Sequence, residues 1–284
     1  MSIPVKGFIF TNGGRIIHPD ITLRGFLSTV KDGQNISLNL LRKRKVFCAD
    51  EDHNKVFRAW SIYKCIYAEV ELDSQKYILN NGSWFRVDTN FVQKTNENFD
   101  KIPTSDLELP EYCGEGEGKY NESVAAADAE RFTLLDNKKI MHGGGQGQVE
   151  VCDLLSIDRQ LIHVKRYGRS NVFSHLFAQG YVSGRLLQLD AEFRKKVREK
   201  LSPSFAKLID VENRPADGQY TIIYAVISES KKEKLHLPFF SRVNLNNVEK
   251  TLRGFGYKVE LLKVPVNSNY SKTKVAPPGK TKKL

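Results

Sequence analysis

One string, YTIIYAVISES at residues 220–230, limits what the chain can fold into more than any other. A run of branched and aromatic apolar residues closed by polar ones reads as a buried strand, and a buried strand needs packed layers around it. The stretch NVEKTLRGFGYKVELLKV that comes after it reads as a helix, a glycine stop and a last strand. Ahead of it, SNVFSHLFAQGYVSGRLLQLDAEFRKKVREKL reads as one or two helices, with Ser170 or Asn171 as N-cap and Gly180 and Gly184 as weak points. QVEVCDLL and QLIHVKRY, joined by SIDR, read as a hairpin. KYNESVAAADAERF has the alanine content of a helix and TLLDNKKIM is a short strand candidate. Helix, strands, helix, strand, helix, strand in that order predicts an α/β or α+β domain with a mixed sheet.

The N-terminal part has a different character. SIYKCIYAEVEL, QKYILNN and SWFRVD read as three strands of an antiparallel meander, separated by Asp-Ser and Asn-Asn-Gly turns. Its aromatics Tyr63, Tyr67, Tyr77, Trp84 and Phe85 are expected mostly in a core, the alternative being a face that stacks nucleic-acid bases. Residues 95–117, rich in Asn, Asp, Pro, Gly and Glu, read as a connection between units. The expected organisation is a β-rich accessory or recognition region over 1–110, a second domain over 111–266, and a flexible basic tail over 267–284 carrying Lys272, Lys274, Lys280, Lys282 and Lys283.

Charge narrows the partners. The 284 residues hold 44 Lys and Arg against 33 Asp and Glu, a net +11, which favours phosphate polymers or an acidic surface. Cys48, Cys65, Cys113 and Cys152 show no paired CxxC spacing, as expected of reduced, intracellular usage. No leader pattern and no apolar run of about 20 residues stands in the chain, so a soluble, cytoplasmic protein without membrane contact is expected.

Asp153 ends one strand of the hairpin, and His163 and Lys165, two apart on the next, share a face. Oxygen ligands suit Mg²⁺, and a lysine beside such an ion can orient water or offset developing charge. The bland alternative makes Asp153 a turn cap and Lys165 a solvated lysine. Glu122, early in its helix, could add a second carboxylate, although acidic residues suit helix N-termini in any case. Glu150 is three before Asp153, an odd spacing that puts it on the other face of a regular strand unless a bulge intervenes. Gln179 is placed to touch phosphate, water or a ligand. Imidazole at His163 suits Mn²⁺ more than Mg²⁺. GGGQG at 143–147 precedes a strand, so it reads as a turn and not a phosphate cradle. Ser174 and His175 are adjacent on one helix, and no GxSxG elbow accompanies them, which argues against a serine triad. Arg166, Arg169, His175, Arg185, Lys195 and Lys196 form the candidate set for the nucleic-acid backbone.

The strings KYNESVAA, VEVCDLL, LIHVKRYG, FSHLFAQGYVSG and YKCIYAEVELDSQKYILNNGSWFRVD resemble a family of uncharacterised, sporadically distributed bacterial proteins linked to defence or mobile loci. The likeness runs from about Trp60 to about Val264, and the family's core is similar to the PD-(D/E)xK nucleases. The resemblance implies a restriction-endonuclease-like mixed-sheet domain with a site of Glu122, Asp153, Lys165 and Gln179. It departs from the pattern at His163, where an acidic residue is usual. Either imidazole serves as ligand or proton handler there, or metal chemistry is weakened and binding remains. Members of the family extend further at the N-terminus, which implies a recognition region reduced here or supplied by a partner.

The expectation is therefore a Mg²⁺- or Mn²⁺-dependent endonuclease acting on DNA in restriction or phage defence, with Asp153, Glu122 and His163 as metal ligands. It would work as a homodimer or with a defence-system partner. The alternatives are a noncatalytic nucleic-acid-binding protein with a degenerate site, and a structural or adaptor component of a phage or defence complex.

Overall fold

The computed structural model describes residues 6–10, 16–31, 34–50, 52, 55–136, 138–141, 148–168 and 170–271. Contacts between Cα atoms divide the chain into two units, Met1–Gln93 and Lys94–Leu284.

The first unit opens with β1 (Gly7–Ile9), α1 (Leu23–Leu27), α2 (Leu38–Lys43), β2 (Lys45–Ala49), β3 (Lys55–Ser61) and α3 (Ile62–Cys65). The strands form an antiparallel sheet in the order β1-β2-β3, and Phe10, Phe26, Val46 and Ile62 form the core beside it. Each short helix starts on a hydroxyl: Thr22, Ser37 and Ser61 accept from the amides of Gly25, Leu40 and Lys64. The meander of β4 (Ala68–Leu72), β5 (Gln75–Asn80) and β6 (Ser83–Arg86) forms as the turn signals predict. Its two-residue turns place Asp73, Ser74, Asn81 and Gly82 at positive φ, the geometry that suits tight hairpins. Two expectations change. The Ser61 cap turns Ile62–Cys65 into a helix, so the first strand of the meander starts only at Ala68. Among the five aromatics expected mostly in a core, none is buried, and Tyr67, Trp84 and Phe85 are about half exposed. Leu79 alone is buried among the residues of β4, β5 and β6.

Helix α4 (Thr89–Asp100) straddles the division. The second unit continues with α5 (Glu117–Ala127), β7 (Phe132–Leu134), β8 (Ile140–Met141), β9 (Gln148–Val149), β10 (Leu154–Ser156) and β11 (Gln160–Arg166). It closes with α6 (Ser170–Leu189), α7 (Ala191–Glu199), α8 (Pro203–Ala206), β12 (Thr221–Ser228), α9 (Phe239–Gly254), β13 (Lys258–Pro265) and α10 (Ser268–Ser271). Five strands make one sheet in the order β13-β12-β11-β10-β7. β7, β10 and β11 are antiparallel neighbours, whereas β11, β12 and β13 run parallel, so the sheet is mixed. β8 and β9 form a separate two-stranded ribbon.

The interior strand β12, flanked by β11 and β13, explains the layering. Ile222, Tyr224 and Val226 face one hydrophobic cluster with Phe173, Leu176 and Phe177 of α6, and with Leu245 and Leu252 of α9. Ile223, Ala225 and Ile227 face the other, with Tyr120 and Val124 of α5. Alternation thus feeds two cores from a run that is apolar throughout, as expected of a parallel strand covered on both faces.

Residues 95–117, expected as a connection, pack in the second unit. Phe99 and Ile102 enter its core. Ser105 donates to the Leu261 carbonyl, and Tyr112 exchanges backbone bonds with Pro265 and Asn267, so the segment runs along the outer edge of β13 and covers it. The division accordingly falls after Gln93 and not near residue 110. Among the described residues no helix is long and apolar enough to cross a membrane. The glycine run at 143–147 and the lysines of the tail lie outside the described residues.

Candidate active site

The site begins with a mismatch of strand lengths. β10 pairs with β11 only at Leu154↔Ile162 and Leu155↔Leu161, and β11 runs on to Arg166. Two carboxylates take up the amides of the extension. Asp153, immediately before β10, accepts the Val164 N–H on Oδ2 at 2.6 Å. Glu117 accepts the Arg166 N–H on Oε1 at 3.0 Å, and its Oε2 pairs with Lys165 Nζ at 2.7 Å. Backbone donors need partners, and here side chains supply them where the ladder stops.

Glu117 reaches this edge because α5 starts on it. The preceding Gly116 has φ 96°, a conformation that glycine adopts without penalty, and it turns the chain into the helix. Four residues on, and therefore on the same helical face, Asn121 is 1% exposed and donates to Asp136 Oδ2 at 3.2 Å. The amides of Leu135 and Asp136 both donate to the Asp153 carbonyl, at 2.9 and 3.0 Å, which fixes the end of β7 beside Asp153. From the α6 side, Gln179 Nε2 donates to Glu150 Oε2 at 3.3 Å.

These contacts shape the charge. Burial pushes the Asp153 carboxyl up to about 7, opposed by the Val164 amide, and the negative charges of Asp136 and Glu150 push it further while Lys165 pulls it down. A carboxyl that titrates near neutrality, next to a lysine in a partly exposed site, is a frequent mark of chemistry.

The structure therefore brings Asp153, Lys165 and Gln179 into one neighbourhood and leaves other expected residues out of it. Glu122 is exposed, because five positions past Glu117 it falls on a different face of α5. His163 is 1% exposed, with its ring 5.9 Å from that of Tyr224 and its Nε2 without a hydrogen-bond partner. Burial holds this imidazole down at about 4, hence neutral. It shares the pleat face of Leu161, which packs in the α6 cluster. Arg166 borders the site through its amide. His175 and Lys195 are exposed on α6 and α7, Arg185 lines a separate hollow with Tyr181 and Leu189, and Lys196 donates to the Met141 carbonyl. Arg169 lies outside the described residues.

Sequence reasoning missed Glu117, Asn121 and Asp136. Glu117 falls at the end of the stretch that reads as a connection, and its i, i+4 relation to Asn121 gains meaning only once α5 is known to start there. Strand parity leaves Glu150 a reserve ligand that needs a bulge, but residues 150–153 lie between β9 and β10, so parity does not apply to them.

Among the described residues no group of three or more His, Cys, Asp or Glu forms a metal cage. Asp153 keeps one carboxylate oxygen beyond its bond to Val164, Glu150 stands near it, and Asn121 Oδ1 is buried without a partner. Mg²⁺ commonly takes one or two carboxylates and retains water and substrate oxygens for the rest of its shell.

No curated protein and no solved structure matches the chain. A model described as a family of unknown function (DUF6119) matches residues 2–265, nearly the whole length, and the chain belongs to that family.

Proposed function

We propose that the second unit hydrolyses phosphodiester bonds of DNA with a divalent cation, Mg²⁺ or Mn²⁺, and serves in restriction or phage defence. The observation that carries the reading is the use of Asp153 and Glu117 on the edge of β11, with Lys165 paired to Glu117 and its charge felt by Asp153. Three antiparallel strands, then a helix and a parallel strand, with α5 ahead of them, support the restriction-endonuclease-like core that the resemblance implies.

Asp153 and Glu150 would hold the cation, which supplies polarisation of the scissile phosphate and a more acidic water. Lys165 offsets charge that develops on the phosphate, and Glu117 sets the position of its ammonium. Gln179 orients Glu150. The Val164 amide fixes the Asp153 carboxylate, so one of its oxygens faces a constant direction. Relief of repulsion among Asp136, Glu150 and Asp153 favours cation entry, because the like charges that raise the Asp153 pKa are those a cation would neutralise. DNA as substrate rests on the net charge of +11.

The test is cleavage of plasmid, linear, single-stranded and modified-base DNA, and of RNA, with Mg²⁺ or Mn²⁺ against EDTA. Cutting that needs metal and disappears in both Asp153→Asn and Lys165→Ala supports the reading. Protein that binds DNA and never cuts it refutes hydrolysis. That outcome would favour a binding protein with a degenerate site, a reading favoured by the closed Glu117–Lys165 ion pair.

A further inference from the structure

A cleft of about 430 Å³ opens at the carboxyl ends of β11 and β12, next to the residue that follows β13. Open α/β sheets hold their ligands at this end of parallel strands, and the volume suits a small molecule of a few rings. Its floor is apolar and closed: Tyr112 is fully buried and Ile227 is 2% exposed. Over that floor lies Arg166, its guanidinium carbon 5.3 Å from the centre of the Tyr112 ring, so the cation is placed before any ligand arrives. On the neighbouring wall Tyr167 is fixed twice. Its amide donates to the Ile227 carbonyl at 2.8 Å, and its ring sits edge-on to Phe173 at 5.3 Å while remaining 42% exposed. Ser228 and Glu229 supply hydrogen-bonding groups at the end of β12, and Lys232 adds a second positive charge.

An exposed, immobilised aromatic ring, an arginine held over an apolar floor, a lysine, and a serine–glutamate pair match one ligand chemistry. We propose that this cleft binds a single nucleotide unit, with the base against Tyr167 and the phosphate between Arg166 and Lys232. Glu229 would then accept from ribose hydroxyls or from an exocyclic amine of the base. Inorganic phosphate alone would leave the aromatic wall unused, and an unphosphorylated nucleoside would leave the two cations unused. The proposal goes beyond the hydrolytic reading and stands without it, because the lining side chains are not those assigned to hydrolysis.

The experiment is calorimetric titration of the full chain with the four ribonucleoside 5′-monophosphates and their deoxy forms, with inorganic phosphate and the parent nucleosides as comparators. At least one monophosphate should saturate the protein and bind about tenfold or more tightly than either comparator, the weight of one charge-assisted contact. Arg166→Ala should weaken it about tenfold, and Tyr167→Ala about threefold or more. Arg166→Lys should recover part of the loss, and Arg198→Ala, a charge change elsewhere on the surface, should change nothing. Circular dichroism of each variant identifies any that fails to fold, and Arg166→Lys keeps the question decidable in that case. No saturation by any monophosphate up to about 10 mM, affinity matched by phosphate alone, or affinity unchanged in both Arg166→Ala and Tyr167→Ala would each overturn the proposal.

Discussion

Asp153→Asn should stabilise the protein while removing the chemistry proposed for it, and the size of the gain should depend on pH in a fixed way. Asn keeps an oxygen to accept the Val164 N–H but has no charge to bury. In the wild type the folded-state pKa is raised from 3.8 to about 7, so between these values the folded protein holds a proton that the unfolded chain has released. Stability from this group is therefore complete below pH 3.8 and is lost as pH rises toward 7. The loss is about 2 kcal/mol at pH 5 and about 4 kcal/mol at pH 8. Urea titrations of both proteins from pH 4 to pH 8 should show the advantage of the Asn variant growing by about 2 kcal/mol between pH 5 and pH 8. A difference that stays constant, or shrinks as pH rises, would refute the claim that burial and the charges of Asp136 and Glu150 hold this carboxyl partly protonated.

Burial pushes His163 the other way, down to about 4, so its contribution is present above pH 6.5 and is lost as pH falls toward 4. His163→Leu should gain about 2 kcal/mol more at pH 5 than at pH 8 in the same titrations, and an absence of any pH-dependent gain would show that the imidazole charges freely. A Cβ at Gly180 would fall on the Tyr224 hydroxyl, which also donates to the Phe177 carbonyl. Gly180→Ala should therefore lower stability by about 1–3 kcal/mol in thermal or chemical melts, despite the better helix propensity of alanine, and a stabilised variant would contradict the packing. Glu117→Gln should release Lys165 and reduce any metal-dependent cleavage by about tenfold or more, while exposed Glu122→Gln leaves it within about twofold. Equal effects of the two substitutions would remove Glu117 from the site.

Much of the second unit was legible because its signals were local. The run from Thr221 to Ser228 could be buried only between two layers, and the SIDR connection had to fold back into a hairpin. Asp153 and Lys165 were legible as a pair for the same reason, since a hairpin brings the start of one strand beside the end of the next. What escaped depended on contacts distant in sequence. Lys165 and Glu117 are 48 residues apart, and nothing near Glu117 marks it as the first residue of a helix aimed at that strand edge. His163 illustrates the reverse error. Period two put it on the same face as Lys165, which is correct for the backbone, but strand position alone does not show that α6 covers that face at residue 163 and leaves it open at 165. In the first unit, aromatic content suggested a core where the three-stranded meander buries little besides Leu79.

The segment that runs along β13 imposes an order on synthesis. Glu111 and Asn267 are joined at 3.0 Å although 156 residues separate them, and the backbone bonds of Tyr112 to Pro265 and Asn267 span a similar distance. On the ribosome, residues 101–112 emerge long before the strand they will cover, so the final edge of the sheet cannot close until translation has passed Asn267. Until then β12, the most apolar strand of the unit, has one flank without its native neighbour and open to non-native pairing. A chain truncated before β13 and the full chain should differ sharply in protease resistance, the shorter yielding fragments across the whole second unit.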